Sequence, residues 1–261
     1  KLTGKTRIES DLIGAREIPA EALYGVQTLR GIENFSISKF RLSEYPLFIK
    51  GLAITKMAAA MANFELGLLT VEQKDAIIAA CGEILDGKHH DQFPVDMIQG
   101  GAGTTTNMNA NEVIANRALE LMGHERGEYQ YCSPNDHVNC SQSTNDAYPT
   151  AIHIGMYFKH LQLLPHLEEL IASFRKKGEE FSQIIKMGRT QLEDAVPMTL
   201  GQTFNGFASI LQDEIAHLNE AAADFLVVNM GATAIGTGIC AEPGYAEKCI
   251  AALREITGWD I

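Results

Sequence analysis

Two long stretches of helical apolar periodicity in the second half of the chain set its fold class. Apolar residues recur along each stretch at steps of three, four or seven, which gives each helix one apolar stripe. The first stripe contains Ile152, Met156, Leu163, Leu167, Leu170, Phe174, Phe181 and Ile185, and the second contains Phe204, Phe207, Leu211, Ile215, Leu218, Ala222 and Phe225. Pro165 lies inside the first stretch and is expected to kink it. Helices of about 30 residues span about 45 Å and need long partners to bury such stripes.

We therefore predict a mainly α fold, with a mostly helical N-terminal domain over residues 1–142. Residues 143–261 are predicted to form the first long helices of an incomplete helical bundle, completed by further chain or by other subunits. Shorter helices are expected over 45–68, 70–85, 104–122 and 245–256, and the second long helix is expected to begin at Pro197. Thr70 and Gln73 have the spacing of a capping box. Residues 1–44 and 125–141 are predicted to be irregular, with short extended pieces in the former.

Composition excludes several classes of protein. A net charge of −12 disfavours nucleic acid and acidic membrane surfaces as partners, because both bind clustered Lys and Arg. The five cysteines contain no C-x-x-C pair, which favours reduced thiols in the cytoplasm over a disulfide framework or a zinc site. The N-terminal residues lack the apolar run of a signal peptide. We also expect no apolar run of the chain to be long enough to span a bilayer.

Three polar segments each run directly into a helical pattern. They cover residues 100–109, 142–150 and 186–197. In the second, Thr144 or Asn145 is expected to be the N-cap, and Asp146 follows in the first turn, where the helix dipole favours negative charge. Such helix starts, with their hydroxyls and amides, are suited to hold a small anion, although a plain helix cap is the alternative interpretation. If the three segments converge, they would surround that anion.

Other motifs are less informative. The glycines at 100–103 lack both the G-K-[ST] ending of a P-loop and the G-x-G-x-x-G spacing, so a nucleotide site is disfavoured. His89, His90 and Asp91 are adjacent and point in different directions, which makes them a poor set of metal ligands. No metal site and no serine–histidine–aspartate arrangement is predicted.

These motifs together resemble the N-terminal part of the fumarase/aspartase superfamily. The resemblance covers nearly the whole chain and rests on eight segments in one order. They are QFPVD (92–96), GGAGTTTNMN (100–109), EVIAN (112–116), ELMGH (120–124), GEYQY (127–131), PNDHVN (134–139), QSTNDAYPT (142–150) and GRTQLEDAVPMTLGQ (188–202). The segments at 127–131 and 136–137 are more similar to the aspartase branch than to the fumarase branch.

The resemblance implies reversible elimination of ammonia from L-aspartate to give fumarate, without an organic cofactor. It also implies a tetramer whose active sites each draw residues from three subunits. By position, the implied substrate-binding residues are Thr104, Ser143, Thr144, Asn145, Thr190 and Gln191. Gln191 stands where many members have histidine, and its amide cannot titrate near neutral pH. Asn135 and Asp136 match a region that forms a secondary anion site in fumarases.

The chain departs from the family pattern in one respect. The family's general base is a serine on a Gly-Ser-Ser loop, and this loop is absent from the 261 residues, so it is expected beyond Ile261. The chain alone is therefore expected to be inactive. Two alternatives remain open, namely elimination of water as in fumarase and a non-catalytic helical oligomerisation module.

Overall fold

The computed structural model describes residues 3–101 and 103–261, and within these residues helices predominate. Ala102, in the predicted glycine-rich segment, lies outside the described residues. The longer helices are α1 (Val26–Asn34), α2 (Pro46–Glu65), α3 (Val71–Leu85), α4 (Thr104–Leu121), α5 (Thr144–Glu180), α6 (Leu200–Ala223) and α7 (Tyr245–Thr257). Two antiparallel hairpins accompany them, β1 (Thr6–Asp11) with β2 (Gly14–Pro19) and β3 (Ile185–Thr190) with β4 (Glu193–Thr199). The predicted mainly α class is confirmed.

The chain divides into two compact units. The first unit contains the chain up to Met156 together with Leu226–Ile261, and the second contains Tyr157–Phe225. Helix α5 begins in the first unit and continues into the second, and it runs through Pro165 without ending. The domain boundary predicted after residue 142 stays a prediction.

The first unit is built around α2, which packs against α3 and α7, while α3 also packs against α4. Alanine and leucine on every side of α2 are buried, so this helix is enclosed by the others. By length and composition α2 could cross a membrane, which corrects the view that no apolar run is long enough. Its apolar window is 78% buried inside the protein, as is usual for a core helix.

Residues 3–44 contain more regular structure than predicted. The expected extended pieces form the hairpin β1–β2, but helix α1 was not predicted. It has nine residues and contains Gly31, which reads as a loop signal in the sequence. The structure gives that glycine a packing role, because a Cβ at Gly31 would lie 2.3 Å from the Thr105 methyl carbon.

Most other helix boundaries agree with the sequence prediction. Thr70 and Gln73 form the predicted capping box at the start of α3, with hydrogen bonds of 3.2 and 3.0 Å. Helix α4 begins at Thr104, and α7 ends at Thr257. The next residue, Gly258, caps α7 with a φ of 71°, which glycine readily adopts.

The second unit contains one clear departure from the prediction. The segment 186–197, predicted as a loop, forms the hairpin β3–β4, and α6 begins at Leu200, not at Pro197. A capping box of Thr199 and Gln202 fixes that start. Proline is tolerated in β4 because both strands of a two-stranded sheet are edges. An exposed two-stranded ribbon has no buried face, so its sequence lacks the alternation that identifies a strand.

The apolar stripes of the long helices are only partly covered within the second unit. Phenylalanine rings from α5 and α6 pack together, with centroids 5.4 to 5.9 Å apart for the closest pairs. Other large apolar side chains of these helices remain exposed, namely Leu161, Leu163, Leu170 and Ile210. Exposed apolar faces of this kind are expected of an incomplete bundle.

Glu112 of α4 caps the N-terminus of α1 from a different part of the chain. Its carboxylate accepts hydrogen bonds from the backbone N–H groups of Gly25 (2.8 Å), Gln27 (2.7 Å) and Thr28 (3.0 Å), and from the Thr28 hydroxyl (2.6 Å). The residue is 2% exposed. Burial raises the pKa of this carboxyl to about 7, although the four donors oppose the shift. Glu112 thus supplies the cap that Gly25 cannot provide.

We expect Glu112→Ala in the full-length protein to cost about 2–4 kcal/mol of stability, because four donors lose their acceptor. Thermal or urea unfolding followed by circular dichroism measures the loss. The control is Glu125→Ala at an exposed position, which should change stability by less than about 0.5 kcal/mol. Equal effects of the two variants would contradict the capping role.

Candidate active site

The N-termini of α4 and α5 lie against each other in the first unit. Gly103, immediately before α4, has a φ of 88° and packs on the ring of Tyr148 in the first turns of α5. A Cβ at Gly103 would lie 2.4 Å from that ring, so any other residue at this position would force the ring or the backbone to shift. Glycine at this position therefore permits the two helix starts to meet, and Thr104 follows at an exposed position.

Ser143 is the residue that caps α5. The Asn145 N–H donates to Ser143 Oγ at 3.1 Å, and the Ser143 N–H donates to Asp146 Oδ1 at 3.0 Å. The prediction that Thr144 or Asn145 is the N-cap was therefore wrong by one or two residues. The correction matters for chemistry, because the side chains of Thr144 and Asn145 belong to the first turn and are not used as caps.

Thr144 is linked directly to α4. Asn107, one turn into α4, donates from Nδ2 to Thr144 Oγ1 at 3.1 Å. Ser143 and Thr144 are half-buried, whereas Thr104 and Asn145 are exposed. The structure thus brings together the two helix starts that carry four of the six predicted binding residues.

Asn145 also contacts a segment that the sequence analysis did not identify. Its Nδ2 donates to the backbone carbonyl of Ala234 at 2.8 Å, and Asn229 Nδ2 donates to the Asn145 carbonyl at 3.0 Å. Residues 229–234 therefore lie beside the first turn of α5. The closely spaced glycines at 231, 236 and 238 were the available signal for this segment.

Asp146 holds the same segment through its carboxylate. Its Oδ2 accepts hydrogen bonds from the backbone N–H groups of Gly231 (3.2 Å) and Thr233 (2.8 Å). Burial raises the pKa of the Asp146 carboxyl, and its backbone donors oppose the shift. Thr233 adopts a φ of 59°, a left-handed conformation that is rare for a β-branched residue. Such strain concentrates where surrounding contacts fix the backbone, often near functional sites.

Thr190 and Gln191 belong to the second unit. Thr190 is the last residue of β3 and pairs with Glu193, so Gln191 and Leu192 form a two-residue turn. Both turn residues have positive φ, 47° and 67°, as a type I′ hairpin turn requires. Thr190 and Gln191 are exposed. Their convergence with the starts of α4 and α5 stays a prediction.

A buried polar network lies behind Thr144. Lys56 of α2 is 0% exposed and donates from Nζ to Asn139 Oδ1 (2.9 Å) and Gln142 Oε1 (2.8 Å). Burial lowers the pKa of this lysine to about 7, and the negative charge of Asp146 opposes the shift. Sequence reasoning missed Lys56, although a lysine in an otherwise apolar stretch of helix was a usable signal.

Asn135 and Asp136 lie on a π-helical turn, Pro134–Val138. Their backbone N–H groups donate to Ser133 Oγ at 3.2 and 3.1 Å, and this hydroxyl donates to Asp136 Oδ2 at 3.0 Å. These contacts stabilise the turn, and a secondary anion site here stays a prediction.

A cleft of about 650 Å³ borders this turn, but it contains none of the six predicted binding residues. Its lining comprises Ser10, Asp11, Leu12, Ile13, Val26, Gln27, Glu112, Tyr129, Ser133, Pro134 and Asn135. We give the cleft no role in the reaction, because the contacts that link the predicted residues lie elsewhere.

Replacement of Lys56 by Met should alter how stability depends on pH. Between pH 7 and 10.5 the unfolded chain holds the lysine proton and the folded chain does not, so this lysine makes stability rise with pH. The Tm advantage of the unaltered full-length protein over Lys56→Met should therefore grow as the pH is raised through this window. Lys50→Met, on the same helix but partly exposed, serves as control. Parallel Tm curves for the two variants would refute the inferred pKa.

Comparison with known proteins identifies the family of this chain. The family model described as lyase matches residues 14–260. The aspartate ammonia-lyase of Pseudomonas canavaninivorans is 56% identical over 253 residues, which cover 97% of this chain and 53% of the relative. That of Escherichia coli strain K12 is 53% identical over 259 residues, covering 99% and 54%. The chain spans about half the length of the curated relatives it matches.

Solved structures give the same result. A fumarate lyase:delta crystallin from Brucella melitensis bound to cobalt has a TM-score of 0.96 and 52% identity, covering 98% of this chain and 56% of its own. A class II fumarase from Schistosoma mansoni has a TM-score of 0.90 and 36% identity, covering 97% and 53%. The family model matches almost all of the sequence, and the fold agrees with these relatives. The chain therefore belongs to the lyase family, as its resemblance to the fumarase/aspartase superfamily predicted.

Proposed function

We propose that the protein to which this chain belongs is an aspartate ammonia-lyase, which converts L-aspartate reversibly to fumarate and ammonia. The observation that carries the proposal is the meeting of two helix N-termini that bear Thr104, Ser143, Thr144 and Asn145. Sequence identity of 53–56% to aspartate ammonia-lyases supports this choice within the family.

The chemistry of the elimination explains why such a site is suitable. Removal of the Cβ proton leaves a carbanion whose charge is delocalised onto the neighbouring carboxylate, so that this carboxyl group carries additional negative charge. Hydroxyl donors and the positive ends of two helix dipoles stabilise that charge more strongly than the charge of the substrate. The C–N bond then breaks and ammonia leaves with its electron pair. Thr190 and Gln191, at the hairpin turn, are also proposed as substrate-binding residues.

The proton acceptor must come from outside the six binding residues. Hydroxyl and amide side chains do not accept a proton at neutral pH without an activating partner. Lys56 has a pKa of about 7, but it is completely buried and its Nζ is bonded to two amide oxygens. We therefore propose that the 261-residue chain alone does not turn over. We further propose that the base is the serine implied by the family resemblance, with a partner that activates its hydroxyl.

Assembly and location are part of the same proposal. The exposed apolar side chains on α5 and α6 support association with further helices, and we propose a homotetramer in the cytoplasm. No cofactor, nucleic acid or membrane is assigned to it. A purely structural oligomerisation module is the competing interpretation. Light scattering combined with a fumarate titration separates the two, since assembly without dicarboxylate binding would favour the structural module.

Turnover with two substrates tests the reaction. The full-length protein should increase the absorbance at 240 nm when supplied with L-aspartate, and an independent assay should detect one ammonia per fumarate. Fumarate hydratase is the second candidate, because a class II fumarase is among the similar structures. Under that alternative, malate would give the absorbance increase and L-aspartate would not.

Thr144→Val should weaken transition-state stabilisation in the full-length enzyme by about 2–4 kcal/mol, the range for loss of one donor to a developing anion. Asn145→Ala should cost a similar amount and also loosen the segment at Ala234. Values of kcat/KM for L-aspartate measure both effects. Thr257→Val, which removes a hydroxyl near the end of α7, is the matched control. If Thr144→Val behaved like this control, Thr144 would be removed from the site.

A further inference from the structure

Asn107 occupies a position between the buried network and the proposed substrate. It is 1% exposed, and its amide nitrogen donates both to Thr144 Oγ1 and to Asn139 Oδ1, each at 3.1 Å. An amide nitrogen has two hydrogens, so both are used. Its own Oδ1 finds no partner among the described residues. Leaving a buried oxygen unpaired costs free energy. The two hydrogen bonds that the amide nitrogen donates must therefore hold the side chain in this orientation.

The orientation of Asn107 follows from that of Asn139. A backbone carbonyl can only accept, so the Gln142 carbonyl, 3.3 Å from Asn139 Nδ2, obliges Asn139 to present its Oδ1 to Asn107 and Lys56. Asn107 can face that oxygen only with its NH₂ group, because the reversed amide would set two acceptors 3.1 Å apart. The donor and acceptor roles of Asn139 and Asn107 are therefore fixed by their contacts. This removes the usual ambiguity about which way an asparagine amide is turned.

The fixed orientation of Asn107 determines how the Thr144 hydroxyl can form hydrogen bonds. Since Thr144 Oγ1 accepts from Asn107, its own hydrogen must be donated in another direction. Among the described residues no acceptor for that hydrogen is found. Thr144 is half-buried at the start of α5, so its hydrogen remains available to a bound anion.

On this basis we propose that Asn107 is a positioning residue, which orients the Thr144 hydroxyl as a hydrogen-bond donor to the dicarboxylate. The inference rests on the proposed function, because it requires that Thr144 contacts the substrate. Asn107 itself does not touch the substrate and acts only through Thr144.

The test is a double-mutant cycle in the full-length enzyme. Fumarate affinity by calorimetry and kcat/KM for L-aspartate are measured for Asn107→Ala, Thr144→Val and the double variant. Each single variant should lose about 5- to 20-fold in fumarate affinity, the usual factor for one hydrogen bond. The double variant should bind no worse than Thr144→Val, because Asn107 has no effect once the hydroxyl is gone.

A second variant removes the donor at nearly constant shape and without adding charge. In Asn107→Leu no N–H faces Thr144, while Asn139 Oδ1 still accepts from Lys56 and Asn111. The loss in affinity should equal that of Asn107→Ala and should again disappear in the Thr144→Val background. This variant also provides the test if Asn107→Ala does not fold.

Asn111→Ala is the matched control. Asn111 is 0% exposed and donates to the same Asn139 Oδ1 at 3.2 Å, yet it has no contact with Thr144. It should lower Tm but leave fumarate affinity within about twofold. Multiplicative losses in the double variant, or unchanged affinity in both Asn107 variants, would overturn the inference while the proposed function stands. If the unaltered enzyme bound no dicarboxylate, the proposed function and this inference would fail together.

Discussion

The contact between Gly103 and Tyr148 is the constraint on which the candidate site depends. Without a Cβ at residue 103, the start of α4 can lie directly on the first turns of α5. This contact places Thr104 and Thr144 on adjoining helix termini, and it places Asn107 within hydrogen-bonding distance of Thr144. The positive ends of two helix dipoles then lie close together, and we propose that a dicarboxylate gains charge there during elimination.

Three buried ionisable side chains are a second feature of the first unit. Lys56, Glu112 and Asp146 are almost completely buried, and each is surrounded by hydrogen-bonding partners from other parts of the chain. For all three, desolvation is the largest cause of the pKa shift, so burial exceeds the opposing effect of these partners. Such groups cost stability, but they fix geometry, because a buried charge tolerates few alternative arrangements. Here they fix the start of α1, the segment at 229–234 and the amides behind Thr144.

Much of the fold could be predicted because its signals are local. The helices from Tyr45 onward follow from apolar periodicity and end signals, and the capping box at Thr70 follows from two residues three positions apart. The hairpin at 185–199 was misread as a loop, since an exposed ribbon buries neither face and contains Pro197. Helix α1 was missed because Gly31 resembles a break until its contact with Thr105 is known.

The sequence by itself determined the helical class, the family and the six residues proposed to bind substrate, because periodicity and motifs are properties of neighbouring positions. The tertiary structure decided which side chains support those residues. Lys56 and Asn139 are 83 positions apart, and Asn107 and Thr144 are 37 apart, so only packing brings their atoms within hydrogen-bonding distance. The direction in which a hydroxyl donates also depends on packing. Once the hydroxyl oxygen accepts a hydrogen bond from one partner, its own hydrogen must point elsewhere.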